Sequence, residues 1–260
     1  MTLALADFAD LATGTLWGAL LVFLRIGAMM ALIPAFGEQS VPARVKLGLT
    51  VAFTLIVLPA TAPHIAEPPN ETTAILGLAG AEIVSGLFFG MMLRLFIMAL
   101  QIAGTIAAQS TSLSQLFGGS AGADPLPAMG HVLVISGLAL AALLGLHVRV
   151  AAYMLQSYDL VPIGVLPMPG IVAEAGVAEV TRCFSLGFTL AAPFVVASLL
   201  YNVTLGVINR AMPQLMVAFV GAPAITAGGL ALLMISAPFL LSIWSDQFFG
   251  FMARPFGPIQ

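Results

Sequence analysis

"TAILGLAGAEIVSGLFFGMMLRLFIMALQIAGTIAA", residues 73–108, contains no proline and only two charges, Glu82 and Arg94. As one α-helix it would be about 54 Å long, against a bilayer hydrocarbon core of about 30 Å. A central Arg or acidic residue costs about 2.5–3.5 kcal/mol to insert, and each Leu, Ile, Phe or Val returns about 0.3–0.6. Fifteen such residues only balance the two charges, so the segment is a poor lipid-exposed span. Glu82 and Arg94 stand about 18 Å apart along a helix, so neither neutralises the other. Each needs a partner elsewhere. Gly86 and Gly90 form a G-x-x-x-G step, and Gly77, Ala81 and Ser85 add a ridge of small residues, the surface on which helices approach closely. Two readings remain open here: a polytopic bundle with internal ion pairs, or a subunit whose helices pack mainly on other subunits.

Composition places the whole chain in the same class. Of 260 residues, 60% are hydrophobic and only 7% charged, and the mean hydropathy is +1.10. Water-soluble domains carry about 25% charged residues, so this is an integral membrane protein. The net charge of −3 and the scattered basic residues give no nucleic-acid surface. Cys183 stands alone in an apolar run and reads as packing. Asp7 and Asp10 precede the first basic residue, Arg25, so the N-terminus lacks the charge pattern of a cleavable signal and the first apolar segment is expected to be retained.

Six apolar segments are expected to form helices, at about 11–33, 47–65, 73–108, 127–158, 174–209 and 213–249. The last four exceed one simple span, and so either tilt and protrude or bend back as hairpins and re-entrant pieces. No strand alternation or internal repeat is evident. Arg44 and Lys46 mark the one basic loop, 38–46, which the positive-inside rule places in the cytoplasm, with the acidic N-terminus and the loop carrying Glu67 and Glu71 on the far side.

Arg25, Arg149, Arg182 and Arg210 join Glu82 and Arg94 as charges within or at the edge of apolar segments. Met91, Arg94, Met98 and Gln101 recur at helical spacing and read as a buried polar face. The chain is expected not to be an enzyme. It has no H-E-x-x-H, no phosphate-binding glycine loop and no Cys/His cluster, and His64, His131 and His147 lie on separate segments. "GGSAG", residues 118–122, has the look of a serine nucleophile loop, but no strand precedes it and no Asp/His pair accompanies Ser120. No metal and no cofactor is expected.

"QSTSLSQLFGGSAGAD", residues 109–124, is long for a connection between membrane segments and carries no charge before Asp124. Hydroxyl and amide groups surround Leu113, Leu116 and Phe117. One reading is a solvated external loop. The other is a pore stopper, because irregular backbone at membrane depth is tolerated only within protein or beside a watery cavity.

Several motifs converge on one family. "LRIGAMMALIPAFGEQSVPARVKLGLTVAFTLIVLP", residues 24–59, closely resembles the N-terminal signature of FliR, the flagellar type III export gate family, and of its injectisome SctT-type counterparts. "YNVTLGVINRAMPQLMVAFVGAPAITAGGL", residues 201–230, resembles the second signature, with Met216 where the family commonly has asparagine. "SYDLVPIG", residues 157–164, also matches in position. The resemblance covers essentially the whole chain. It implies an all-α membrane protein of long, bent helical hairpins assembled into a multi-subunit pore, with residues 1–170 FliP-like and 171–260 FliQ-like. It implies a channel subunit that passes unfolded flagellar polypeptides across the bacterial inner membrane at the flagellar basal body. Its partners would be FliP-like and FliQ-like subunits, FlhB-like and FlhA-like components, the exported chains and membrane lipid, with no nucleic acid. The loop bearing Ser110, Ser112, Leu113, Leu116, Phe117, Gly118 and Gly119 would correspond to the channel plug. Arg25, Glu82, Arg94 and Arg182 would face protein neighbours instead of lipid. Asn209, Arg210, Pro213 and Gln214 would form a hairpin tip at the channel mouth. The alternatives are the equivalent injectisome subunit and a small-solute transporter; the latter usually has two related halves, which this sequence lacks.

Overall fold

The computed structural model describes residues 2–111, 128–212 and 217–256, with side chains placed at 13–110, 128–212 and 224–256. Every regular element among them is helical: α1 (Thr2–Met30), α2 (Ala43–Thr61) with a 3-10 turn (Ala62–His64), α3 (Thr72–Thr111), α4 (Ala128–Leu143), α5 (Leu146–Leu160), α6 (Pro169–Ala211) and α7 (Val217–Ala253). The chain is an all-α membrane protein. Five helices are long and apolar enough to cross a bilayer, and α4 with α5 makes a sixth, broken, candidate.

Of the four over-long apolar segments, three form continuous helices of 40, 43 and 37 residues, α3, α6 and α7. The other breaks at Leu144–Gly145. Gly145 has φ of +82°, a left-handed conformation that glycine adopts without a Cβ penalty, and it caps the start of α5. Pro193 lies inside α6 without ending it.

The helices form two compact units, each discontinuous in sequence: Met1–Leu95 with Ala142–Glu179 and Phe249–Gln260, and Phe96–Ala141 with Val180–Phe248. In the first, α1 buries Val22, Arg25, Ile26, Met29 and Met30, while α3 buries Ala81, Glu82, Ser85, Phe89, Met92 and Leu93. This spacing of three and four keeps one face of each helix inward. Gly86 permits the approach: a Cβ there would strike the carbonyl of Arg25 and the Cβ of Ala28 on α1. α2 buries Thr50, Thr54 and Thr61, whose hydroxyls donate back to carbonyls of their own helix, so they reach the interior already satisfied. Tyr153 of α5 donates from its hydroxyl to the carbonyl of Phe89 at 3.1 Å and sits edge-on to the Phe89 ring, beside Phe251. Between α1 and α2, Ala35 has φ of +68° and the Gly37 N–H donates to the Ile33 carbonyl at 2.7 Å. A side chain at 37 would collide with the backbone of Ala31 and Ile33, so this turn requires glycine.

In the second unit the fully buried Trp244 of α7 donates from Nε1 to the Phe96 carbonyl at 2.8 Å and stacks on Phe248, with ring centroids 5.0 Å apart. Trp244→Phe keeps most of the apolar volume and removes the donor. It is expected to cost about 1 kcal/mol and to lower the melting temperature in detergent by about 2–4 °C. An unchanged melting curve would assign the site to packing alone.

The Met91, Arg94, Met98 and Gln101 stripe is not the buried face expected. Met91 and Met98 are exposed and Arg94 and Gln101 half-buried, while Met92, Leu93, Leu95, Phe96, Ile97, Ala99 and Leu100 take the inward positions.

Candidate functional site

At the centre of the first unit is one arginine with nothing left to donate. Arg25 is fully buried in α1, and its guanidinium carries five N–H donors in a fixed plane. Nε donates to Glu82 Oε2 at 2.8 Å, and one Nη2 hydrogen to Glu82 Oε1 at 3.1 Å. Nη1 donates to the carbonyls of Ser157 at 3.1 Å and Val161 at 2.7 Å, and Nη2 reaches the Pro162 carbonyl at 3.4 Å. All five donors are used. The Tyr158 ring covers the guanidinium, 4.1 Å from Cζ to its centroid.

Glu82 is equally buried in α3, and its Oε1 takes a further bond from the Gly164 N–H at 2.7 Å. Gly164 has φ of +76°, which aims that N–H at the carboxylate in a conformation side chains rarely adopt. One ion pair therefore holds three pieces: α1, α3, and the end of α5 with the linker that follows it. The chain leaves α5 here, and Arg25 meets the carbonyls of Val161, which caps the helix, and of Pro162, which also accepts from the Val165 N–H at 3.2 Å. A lysine, with three donors on a point charge, cannot reproduce this bridging.

Arg94, the second charge of α3, pairs with Glu38 of the α1–α2 connection, both half-buried. The α3 charges thus find separate partners, 57 residues away for Glu82 and 56 for Arg94. Lys46 Nζ donates to the Gly37 carbonyl at 3.0 Å, and Arg149 lies over the Phe249 ring at 4.3 Å. Arg182 is half-buried in α6, where Cys183 beside it is buried and in no disulfide. Asn209 and Arg210 end α6 with exposed side chains. Ser110 closes α3, its hydroxyl bonded to the Ala107 carbonyl at 2.8 Å. Ser112, Leu113, Leu116, Phe117, Gly118 and Gly119 lie outside the described residues, as do Pro213 and Gln214. Among the described residues no group of three or more His, Cys, Asp or Glu side chains is placed to hold a metal ion.

Sequence reading named Arg25 and Glu82 but not the backbone groups that join them. The signal was present in "SYDLVPIG": Ser157, Val161, Pro162 and Gly164 supply the three carbonyls and the N–H of the clamp. Arg25 sits in the "LRIG" stretch, so two separate motifs meet at one ion pair.

Comparison with known proteins gives the family. Residues 16–251 match the family described as bacterial export proteins, family 1. The chain is 32% identical over 231 residues to the flagellar biosynthetic protein FliR of Caulobacter vibrioides, covering 88% of this chain and 92% of that one. It is 28% identical over 230 residues to the FliR protein of Escherichia coli K12, covering 86% and 87%. The FliR protein of Bacillus subtilis is 28% identical over 224 residues, covering 83% and 84%. With the match spanning nearly every helix and both motifs that close on Arg25, the chain belongs to the FliR family of bacterial export proteins.

Proposed function

We propose that this chain is a channel subunit of the flagellar type III export gate, through which unfolded flagellar polypeptides leave the cytoplasm. The observation that carries the reading is the family match over residues 16–251. All five curated relatives are flagellar, which favours this over an injectisome role. Family membership implies a place in an export complex. We assign as its neighbours FliP-like and FliQ-like subunits, residues 1–170 corresponding to the first and 171–260 to the second, with FlhB-like and FlhA-like components beside them. The site of action is the inner membrane at the basal body.

The surface of α6 is compatible with assembly. Val195, Val196, Leu199, Leu200, Val203 and Val207 are all 45–64% exposed, and adjacent positions are exposed together. A helix apolar on so broad an arc is covered by lipid or by other subunits. Arg210, exposed at the end of this helix, belongs at the channel mouth with Asn209 and the segment through Pro213 and Gln214.

Purification from native membranes is the first test: the intact chain is expected to come out in a stable complex with other export subunits. Recovery as a functional monomer would overturn the reading. Residues 110–125 act as the plug. Deleting residues 112–119 is expected to raise ion conductance across membranes carrying the assembled complex, since the apolar tips of Leu113, Leu116 and Phe117 exclude water and ions. An assembled complex as tight as wild type would remove the plug role.

A further inference from the structure

We propose that the turn after α7 is a strap: the Phe256 ring pins the end of α7 to α3, and it lifts without the first unit coming apart. The inference goes beyond the export-gate reading and does not depend on it.

α7 stops for a chemical reason. The Arg254 N–H still donates to the carbonyls of Gly250 and Phe251, at 3.1 and 3.2 Å, but Pro255 has no N–H with which to continue the helix. Phe256 then takes φ of +61°, a left-handed conformation that is an outlier for a bulky side chain. The sequence does hold a glycine, Gly257, but one position too late to relieve it. Such a conformation persists only where the surroundings impose it. Here the surroundings are rings. Phe256 stacks on Phe88 of α3, with centroids 5.7 Å apart and planes 12° apart, lies 6.2 Å from Phe89, and meets Phe251 of α7 edge-on at 5.6 Å.

The core beneath is closed by other means. Tyr153 holds Phe89 through its hydrogen bond and edge contact and also touches Phe251, while Arg25 and Glu82 tie α1 and α3 to the end of α5. Phe256 itself is 37% exposed. Lifting it releases a strained backbone and leaves these other contacts in place. It uncovers Phe88, half-buried under the strap, beside Val84, Leu87 and Met91, which are exposed on the same side of α3. The strap therefore sets how far the apolar outer face of α3 extends.

Hydrogen exchange read by mass spectrometry, on the full chain purified with its native partners in detergent, tests this. Phe256→Ala and Phe256→Gly are both expected to speed exchange at residues 250–254 about tenfold, the scale of a lost aromatic pair. Exchange at residues 82–89 of α3 and 150–157 of α5 is expected to stay within about twofold of wild type, as local opening requires. Phe256→Trp, which keeps a ring, is expected to exchange like wild type. Unchanged exchange in Phe256→Ala would overturn the strap. So would a Phe256→Gly chain that stays closed, since turn geometry and not the ring would then hold the end of α7. Faster exchange throughout α3 and α5 would make Phe256 part of the core, unable to lift alone. If neither small variant accumulates, Phe88→Leu, which leaves the turn's own sequence intact, decides by the same readout.

Discussion

Glu82→Ala is expected to deplete the chain from the membrane. It leaves a fully buried guanidinium with three carbonyl bonds and no counter-charge, and it strands the Gly164 N–H. Removing one member of a buried pair costs about 3–5 kcal/mol, a large share of the 5–15 kcal/mol that holds a typical domain folded. Steady-state level in membranes and melting temperature in detergent read the effect. Glu82→Gln keeps an acceptor and is expected to fall between alanine and wild type, whereas Arg25→Lys is expected to resemble Glu82→Ala because it cannot bridge four partners. The double change Arg25→Met with Glu82→Leu separates charge from bridging. It removes both charges yet leaves the Val161 carbonyl and the Gly164 N–H without their partners, so only part of the stability should return. A Glu82→Ala chain that accumulates and melts like wild type would show that the clamp holds nothing.

Two glycines at one helix crossing are expected to respond with opposite signs. A Cβ on Gly104 of α3 would lie 2.7 Å from the Gly130 backbone nitrogen and 3.2 Å from the Met129 carbonyl carbon, and closer still to the Gly130 Cα. These are backbone atoms of α4 and cannot rotate aside, so Gly104→Ala must drive the helices apart, at about 1–3 kcal/mol. A Cβ on Gly130 meets nothing nearer than 3.8 Å. Gly130→Ala therefore fits the space and gains up to about 1 kcal/mol in helix propensity. Melting temperatures of the two variants, measured side by side, should fall on opposite sides of wild type. Equal responses would mean the crossing is looser than this geometry.

What the sequence disclosed followed from physics that acts locally. Apolar length marked the helices, and insertion cost marked Glu82 and Arg94 as needing partners. The small residues of α3 foretold close approach, realised where Gly86 meets Arg25 and Ala28. The identity of each charge's partner was not legible, because it depends on contacts 57 and 56 residues away in the chain. Nor was the break at Gly145: one glycine in an apolar run is compatible with a continuous helix, and only a tertiary setting selects its left-handed conformation. The stripe at Met91 and Met98 misled for a related reason. Periodicity shows that residues share a face, but not whether that face turns inward. For the candidate site, two members were readable as misplaced charges. The carbonyls and the N–H around them carry no side-chain signal, and only the family motif pointed to that stretch.

The clamp also imposes an order on synthesis. Arg25 leaves the ribosome 57 residues before Glu82 and 132 before Ser157. At about 5–20 residues per second, its counter-charge arrives about 3–11 s later and the α5 carbonyls about 7–26 s later. Through that interval the first span must hold an uncompensated arginine, at about 2.5–3.5 kcal/mol on insertion scales. The nascent chain is therefore most vulnerable to extraction and proteolysis while α2 and the start of α3 are being made, well before any of its long C-terminal helices exists.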